Sequence, residues 1–324
     1  MKFLVLGDIH ANLSFLARLL LNATTTEYDA IILVGDLGDE VLATQDADHS
    51  DIRREIYQGT VEGVFDLLSK VEKPVYYILG NRDDPNFNIT RNGFYNIDIL
   101  NSGKHIDLSG VTLLGVGGSN YDPTDFQRPS WYNEWQEDQV ENKIKNYINQ
   151  YGGDIDFNRV ILVAHDAPWF TLLDRTNEGI PIGSEAIRRL IRSWEPSAFL
   201  CGHVHESYGV DILERNTIAI NAGAILFPSI TYLSLQPPSQ TEVMVTYCEH
   251  LFMLEINPPS RQVRAWHCVS TNHANGKIGF HIEQYSIGNG QLLLNNSRPA
   301  PYTGESKFPT KLEWKERLVK LKSK

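Results

Sequence analysis

The sequence is poor in sulfur: three cysteines, Cys201, Cys248 and Cys268, and three methionines stand among 324 residues. Three cysteines cannot all pair with one another, and their spacing suits neither a disulfide framework nor a thiolate metal site. A reducing cytoplasm is the expected setting. Long apolar runs are also missing. No stretch approaches the ~20 residues of a membrane helix, so no membrane association is expected. The four apolar residues 3–6 ahead of Gly7 and Asp8 are too few for the core of a secretion signal. Positive charge is short as well, since 29 Lys+Arg against 40 Asp+Glu give a net −11. That balance argues against a protein built mainly to grip nucleic acid, which needs a basic face. What is present, 42% hydrophobic and 21% charged residues, suffices for a full core and excludes disorder of the whole chain.

Short apolar runs end at Gly- and Asp-rich turns at residues 3–6, 30–34, 75–79, 111–116, 160–164 and 198–201, and read as buried strands. Between them lie residues at helical spacing: Leu13, Leu16, Ala17 and Leu20; Val61, Val64, Phe65 and Leu68; Val140, Ile144, Tyr147, Ile148 and Tyr151; Ile187, Leu190, Ile191 and Trp194. Strands alternating with helices make an α/β core. Beyond residue 205 the pattern turns to strands, at 208–213, 217–221, 242–247, 251–256, 262–269 and 277–285. Residues 305–324 carry seven Lys+Arg and three Glu, a +4 tail behind a body of −15. With Trp314, Leu318 and Leu321 on one helical face, the tail reads as a solvated terminal helix or as one that docks a partner protein.

Five short motifs fall where predicted strands end: Gly7-Asp8-Ile9-His10, Gly35-Asp36-Leu37-Gly38-Asp39, Gly80-Asn81-Arg82-Asp83, Ala164-His165-Asp166 and Gly202-His203-Val204-His205. In α/β sheets the crevice beyond the carboxyl ends of the strands is where ligands bind, so loops nearly 200 residues apart can converge there. Each motif offers oxygen or nitrogen donors suited to divalent Mn, Fe or Zn. A glycine ahead of the donor permits a sharp turn and close backbone approach.

As an ordered set these motifs resemble the calcineurin-like metallophosphoesterase superfamily, over roughly residues 1–256. The resemblance implies a four-layer α/β/β/α sandwich, two stacked β-sheets flanked by helices, with a dinuclear metal site at the loop end. It implies Asp8, His10 and His205 on one metal, Asn81, His165 and His203 on the other, and Asp36 bridging both. It also implies two divalent cations, manganese first with iron, zinc, nickel or cobalt as alternatives. The implied reaction is hydrolysis of a phosphorylated small molecule or phosphodiester by metal-activated hydroxide. On this reading residues 1–256 form the metallophosphoesterase domain, 257–304 an added β segment packed on the core, and 305–324 the basic tail.

Three further side chains, Arg82, Asp83 and Asp166, are candidates for catalysis. Many active members of the superfamily carry His where Arg82 stands. Arginine can hold a phosphate bidentately but cannot act as an acid, because its pKa lies above about 12. Asp166 and Asp39 could supply the missing proton or could orient a histidine, and Asp83 is expected to pair with Arg82 or with a ligand side chain. The segment 115–120, Gly-Val-Gly-Gly-Ser-Asn, could offer backbone amides to an anion or could simply be a tight strand exit. His267, Cys268 and His273 read as strand and loop residues, His49 as part of a solvated acidic loop, and the aromatic stretch 121–135 as either a cap beside the site or a surface loop. Two alternatives to the hydrolase stay open, a non-catalytic scaffold or sensor that keeps the fold, supported by Arg82, and a nuclease, which the acidic body disfavours.

Overall fold

The structure, a computed structural model, describes residues 1–23, 28–39, 50–87, 94–100, 105–120, 132–151, 155–177, 179–214, 217–224, 226–234, 241–257, 262–272, 278–288 and 291–299. The basic tail, His49, His273 and residues 121–131 lie outside them.

Strands β1 (Lys2–Leu6), β2 (Ala30–Leu33), β3 (Val75–Tyr77) and β4 (Ile97–Ile99) run parallel in one sheet. The second sheet begins with β5 (His105–Leu108) and β6 (Val111–Val116). A short separate pair, β7 (Ser119–Asn120) and β8 (Glu134–Trp135), precedes β9 (Val160–Ala164), β10 (Ala198–Cys201), β11 (Gly209–Leu213) and β12 (Thr217–Asn221). The order in this sheet is β11-β12-β10-β9-β6-β5, parallel through its four inner strands and antiparallel at both edges.

Inner strands buried on both faces read as unbroken apolar runs, and alternation assigns each residue a side. Phe3, Val5 and Ile32 face across to Leu113, Ile161, Val163 and Leu200 in a core between the sheets. Leu4, Leu6, Ile31 and Leu33 point outward to helices α1 (Leu13–Ala23) and α2 (Ser50–Ser69) through Leu16, Val61 and Phe65. On the far side Leu162, Phe199 and Ala219 meet α3 (Glu137–Tyr151) and α4 (Glu185–Trp194) through Val140, Ile144, Ile187 and Ile191. The architecture is therefore helix, sheet, sheet, helix.

The carboxyl-terminal strands β13 (Leu226–Ser234), β14 (Thr241–Asn257), β15 (Gln262–Asn272), β16 (Ile278–Gly288) and β17 (Gln291–Pro299) are all antiparallel and extend the first sheet to β17-β16-β15-β14-β1-β2-β3-β4. The expected strands 242–247 and 251–256 are one strand, because the ladder to β15 runs unbroken from Tyr247↔Asn272 to Asn257↔Gln262. The first half of β14 pairs with β13 and the second with β1, in register Phe3↔Leu254. His267 and Cys268 lie within β15. Asp51, two residues beyond His49, belongs to the first turn of α2.

Candidate metal centre

Five loops meet at the carboxyl ends of β1, β2, β3, β9 and β10, and backbone bonds lock them together. Asp8 N–H donates to the Gly35 carbonyl (3.2 Å), His10 N–H to Asp36 (3.0 Å), and Gly202 N–H to His165 (3.0 Å). A Cβ added to Gly80 would sit 2.0 Å from Asp36 Oδ1, and one on Gly202 would sit 2.2 Å from Asp8 Oδ2. These two glycines exist so that the next loop's carboxylate can approach. Asp8, His10, Asp36 and His203 all adopt positive φ, at 41°, 45°, 50° and 66°. Such backbone is costly for residues other than glycine and clusters at functional sites.

The side chains form two groups. Donor atoms of Asp8, His10 and His205 lie within 4.8 Å of one another, and so do those of Asp8, Asp36 and His165. Asp8 is thus common to both groups, while Asp36 spans them in another way. Its Oδ2 lies 3.8 Å from His10 Nε2 and its Oδ1 3.5 Å from His165 Nε2. Asn81 Oδ1 is 3.0 Å from His165 Nε2. The His203 ring stands edge-on to His165 at 5.1 Å, as His10 does to His205. The His203 backbone N–H donates to both oxygens of Asp8.

One arrangement tests whether a cation fits. His165 Nδ1 is 2.8 Å from the Val34 carbonyl oxygen. A carbonyl only accepts, so Nδ1 carries the proton, and the neutral ring turns the Nε2 lone pair toward the oxygens of Asn81 and Asp36. Likewise His10 Nε2 faces His205 Nε2 at 3.2 Å, with Asp8 Oδ1 3.1 Å from the latter. Lone pairs converging in a buried space need protons or metal ions between them. Oxygen and imidazole donors without thiolate suit borderline divalent metals.

Without metal, protons take part of that role. Burial opposes charge on His165, but the Asp36 carboxylate outweighs it, with help from Asp8 and the Val34 carbonyl, and the imidazole is pushed up to about 10. Burial, followed by the charge of His165, pushes His203 down to about 4. Asp36 is fully buried, which alone would raise its pKa, yet His165 and then His10 and His203 hold it well below the carboxylate range.

The three candidate catalytic residues are placed differently from one another. Arg82 is exposed, its N–H donates to Asp36 Oδ1 (3.0 Å), and its charge contributes to lowering the pKa of His10, after the larger effect of burial. Asp83 is fully buried and accepts from Leu37 N–H (2.9 Å), the Tyr57 hydroxyl (2.8 Å) and Gly80 N–H (2.7 Å), tying the loops after β2 and β3 to α2. Burial, then the charge of Asp36, pushes its carboxyl up to about 6. Asp166 Oδ2 accepts from Asn120 N–H (2.9 Å), and burial pushes this carboxyl up to about 7. The amides of Gly118, Ser119 and Asn120 are spent on Leu79, Asn133 and Asp166, so these three do not form an anion nest. The segment is a strand exit linked to Asn81 through Asn133, whose carbonyl accepts from Ser119 N–H (3.2 Å) and whose N–H donates to the Asn81 carbonyl (2.8 Å). Asp39 exchanges hydrogen bonds with Thr60, its N–H lying 3.1 Å from the hydroxyl. The motif reading missed Tyr57, although it extends the helical stripe Val61, Val64 and Leu68 backward by one turn.

Paired sheets flanked by helices, with carboxylates and histidines gathered at one end, define a metallophosphoesterase-type α/β protein. A sequence profile of the calcineurin-like phosphoesterase family matches residues 1–207, and the chain belongs to that family. No curated protein sequence matches the chain. The protein TT1561 of Thermus thermophilus is similar in fold, with 16% identity and a TM-score of 0.52 over 82% of this chain and 97% of its own. A second crystal structure, 19% identical, reaches a TM-score of 0.57 over 70% of this chain and 93% of its own. Among the described residues, no helix is long and apolar enough to cross a membrane.

Proposed function

We propose that the chain is a dinuclear metal-dependent phosphoesterase acting on a phosphorylated small molecule or a phosphodiester. The observation that supports this is the buried convergence of lone pairs around His165 Nε2, Asn81 Oδ1 and Asp36 Oδ1. Two divalent ions held by Asp8, His10, Asp36, Asn81, His165, His203 and His205 would supply Lewis acidity toward a phosphoryl oxygen and a more acidic water. Manganese is the first ion to test, then iron, zinc, nickel and cobalt.

The chain's own residues position and select. The Val34 carbonyl fixes the His165 tautomer, and the Asp8 carboxylate fixes the His203 backbone. Asp83 and Asp166 act through the loops they brace. Arg82 holds phosphate oxygens with its planar fork but gives no proton. General acid help is worth roughly 100- to 10,000-fold, so esters with good leaving groups are the preferred substrates. Residues 1–256 form the catalytic domain, and a cytoplasmic setting, in keeping with the low cysteine content, belongs to the same reading.

Protein reconstituted with Mn²⁺ should hydrolyse an activated aryl phosphate or its diester, and Asp36→Asn or His165→Ala should abolish this. Arg82→His should recover activity on alkyl esters relative to aryl ones. Inertness of the reconstituted protein on mono- and diesters alike would overturn the reading. Two ions per chain with no turnover would instead favour a scaffold, which Arg82 permits.

A further inference from the structure

Five large hydrophobic side chains are exposed among the described residues, and four of them, Trp169, Phe170, Ile180 and Ile182, lie in residues 168–183. This segment starts just after His165 and returns past the His203–His205 loop. Arg175 N–H donates to Ser207 Oγ (2.8 Å), and the Leu173 carbonyl accepts from Asn221 Nδ2 (2.8 Å). Four residues of chain span at most roughly 14 Å, so the Trp169 backbone lies within that distance of His165.

The segment is held in shape from within. Asp174, fully buried, accepts from Phe170 N–H (2.7 Å), Thr171 N–H (2.9 Å) and Gly183 N–H (3.3 Å). Phe170 is thereby kept at φ 59°, a conformation that an aromatic residue rarely adopts. The Arg175 guanidinium lies 4.5 Å from the centre of the Phe170 ring while its Nε and Nη1 donate to the Thr171 and Gly179 carbonyls. The Trp169 and Phe170 rings stand 5.3 Å apart at 43°. A buried carboxylate, a strained backbone and a cation thus fix two aromatic rings that remain 39% and 63% exposed. Structure of this kind around exposed apolar surface marks a binding site.

Size decides the occupant. The exposed parts of the four side chains amount to roughly 400 Å², about half of what one partner buries in a stable protein interface, and those of Trp169 and Phe170 alone to roughly 250 Å², about what one aromatic side chain buries. That is too little for a second copy of the chain and suits a single planar ring. We propose that Trp169 and Phe170 form the subsite for a planar aromatic leaving group on the phosphoester. The proposal rests on the phosphoesterase reading of the metal centre.

Phenylphosphonate and methylphosphonate share one anionic head, differ in the ring and resist hydrolysis. Calorimetric titration of Mn²⁺-loaded protein should show the phenyl compound binding about tenfold more tightly. In Trp169→Ala the ratio should fall below about threefold. Phe170→Ala, a change at the more exposed ring, supplies the same test where Trp169→Ala does not fold. Equal affinity in the parent, or a preference that survives both substitutions, overturns the subsite and leaves the phosphoesterase reading standing. Failure of both phosphonates to bind removes both.

Discussion

At the histidines of the proposed metal centre, protons and metal ions would compete for the same nitrogens. Burial works against a charged His165, yet Asp36 raises its pKa above the ordinary 6.5 to about 10. Its contribution to the metal-free fold is therefore complete below about pH 6.5 and fades as the pH climbs through about 10. Metal uptake follows the opposite course, strengthening with pH over that window because the ion must displace the proton. Titrating Mn²⁺ at pH 7 in buffers of different ionisation enthalpy should reveal about one proton released per chain. A heat that does not depend on the buffer would contradict this. The same residues show why the centre was legible in the sequence while its supports were not. Donors such as Asp8-Ile9-His10 announce themselves by type and spacing. Asp83 becomes a brace only because folding brings Leu37, Tyr57 and Gly80 to one carboxylate.

Among the elements, α4 has an unusual cap. Ser184 accepts from Ile187 N–H in the ordinary way (3.1 Å), and Glu137, at the start of α3, accepts from Glu185 N–H (2.8 Å), Ala186 N–H (2.7 Å) and the Ser184 hydroxyl (2.8 Å). One carboxylate thus satisfies helix-end donors of a neighbouring helix and complements its dipole. Glu137→Ala should cost about 1–3 kcal/mol, with amide exchange rising first in the opening turn of α4. An unchanged denaturation midpoint would show that water replaces the carboxylate without loss. The strands that packing buries on both faces, such as Val160–Ala164, were plain in the sequence. β4 was not, because Ile97-Asp98-Ile99 is a three-residue edge strand with too few apolar positions to set a period. The start of α2, Ser50 to Glu55, was hidden because a charged turn carries no apolar stripe.

Over the whole molecule the charge is uneven, −15 in the body and +4 in residues 305–324. On the proposed reading, an acidic body would repel phosphate until divalent ions reversed the sign of the centre. Since the seven proposed donors lie between Asp8 and His205, removing residues 305–324 should leave the metal content per chain and the hydrolysis rate as they were. Elemental analysis of the shortened protein measures the first. Loss of bound metal would show that the tail belongs to the centre's support.

Strand β1, from which the Asp8 and His10 loop departs, has neighbours that arrive at very different times during synthesis. On one side is β2, a few tens of residues on, while on the other Lys2 waits for Glu255. A chain leaving the ribosome amino end first would carry every donor through His205 into solution while that flank of β1 still shows unpaired amides and carbonyls. At roughly 5–20 residues per second the gap lasts about 3–10 seconds. For that interval the nascent protein would hold all seven proposed metal donors beside an open sheet edge, the state in which wrong strand pairing and premature metal capture would coincide.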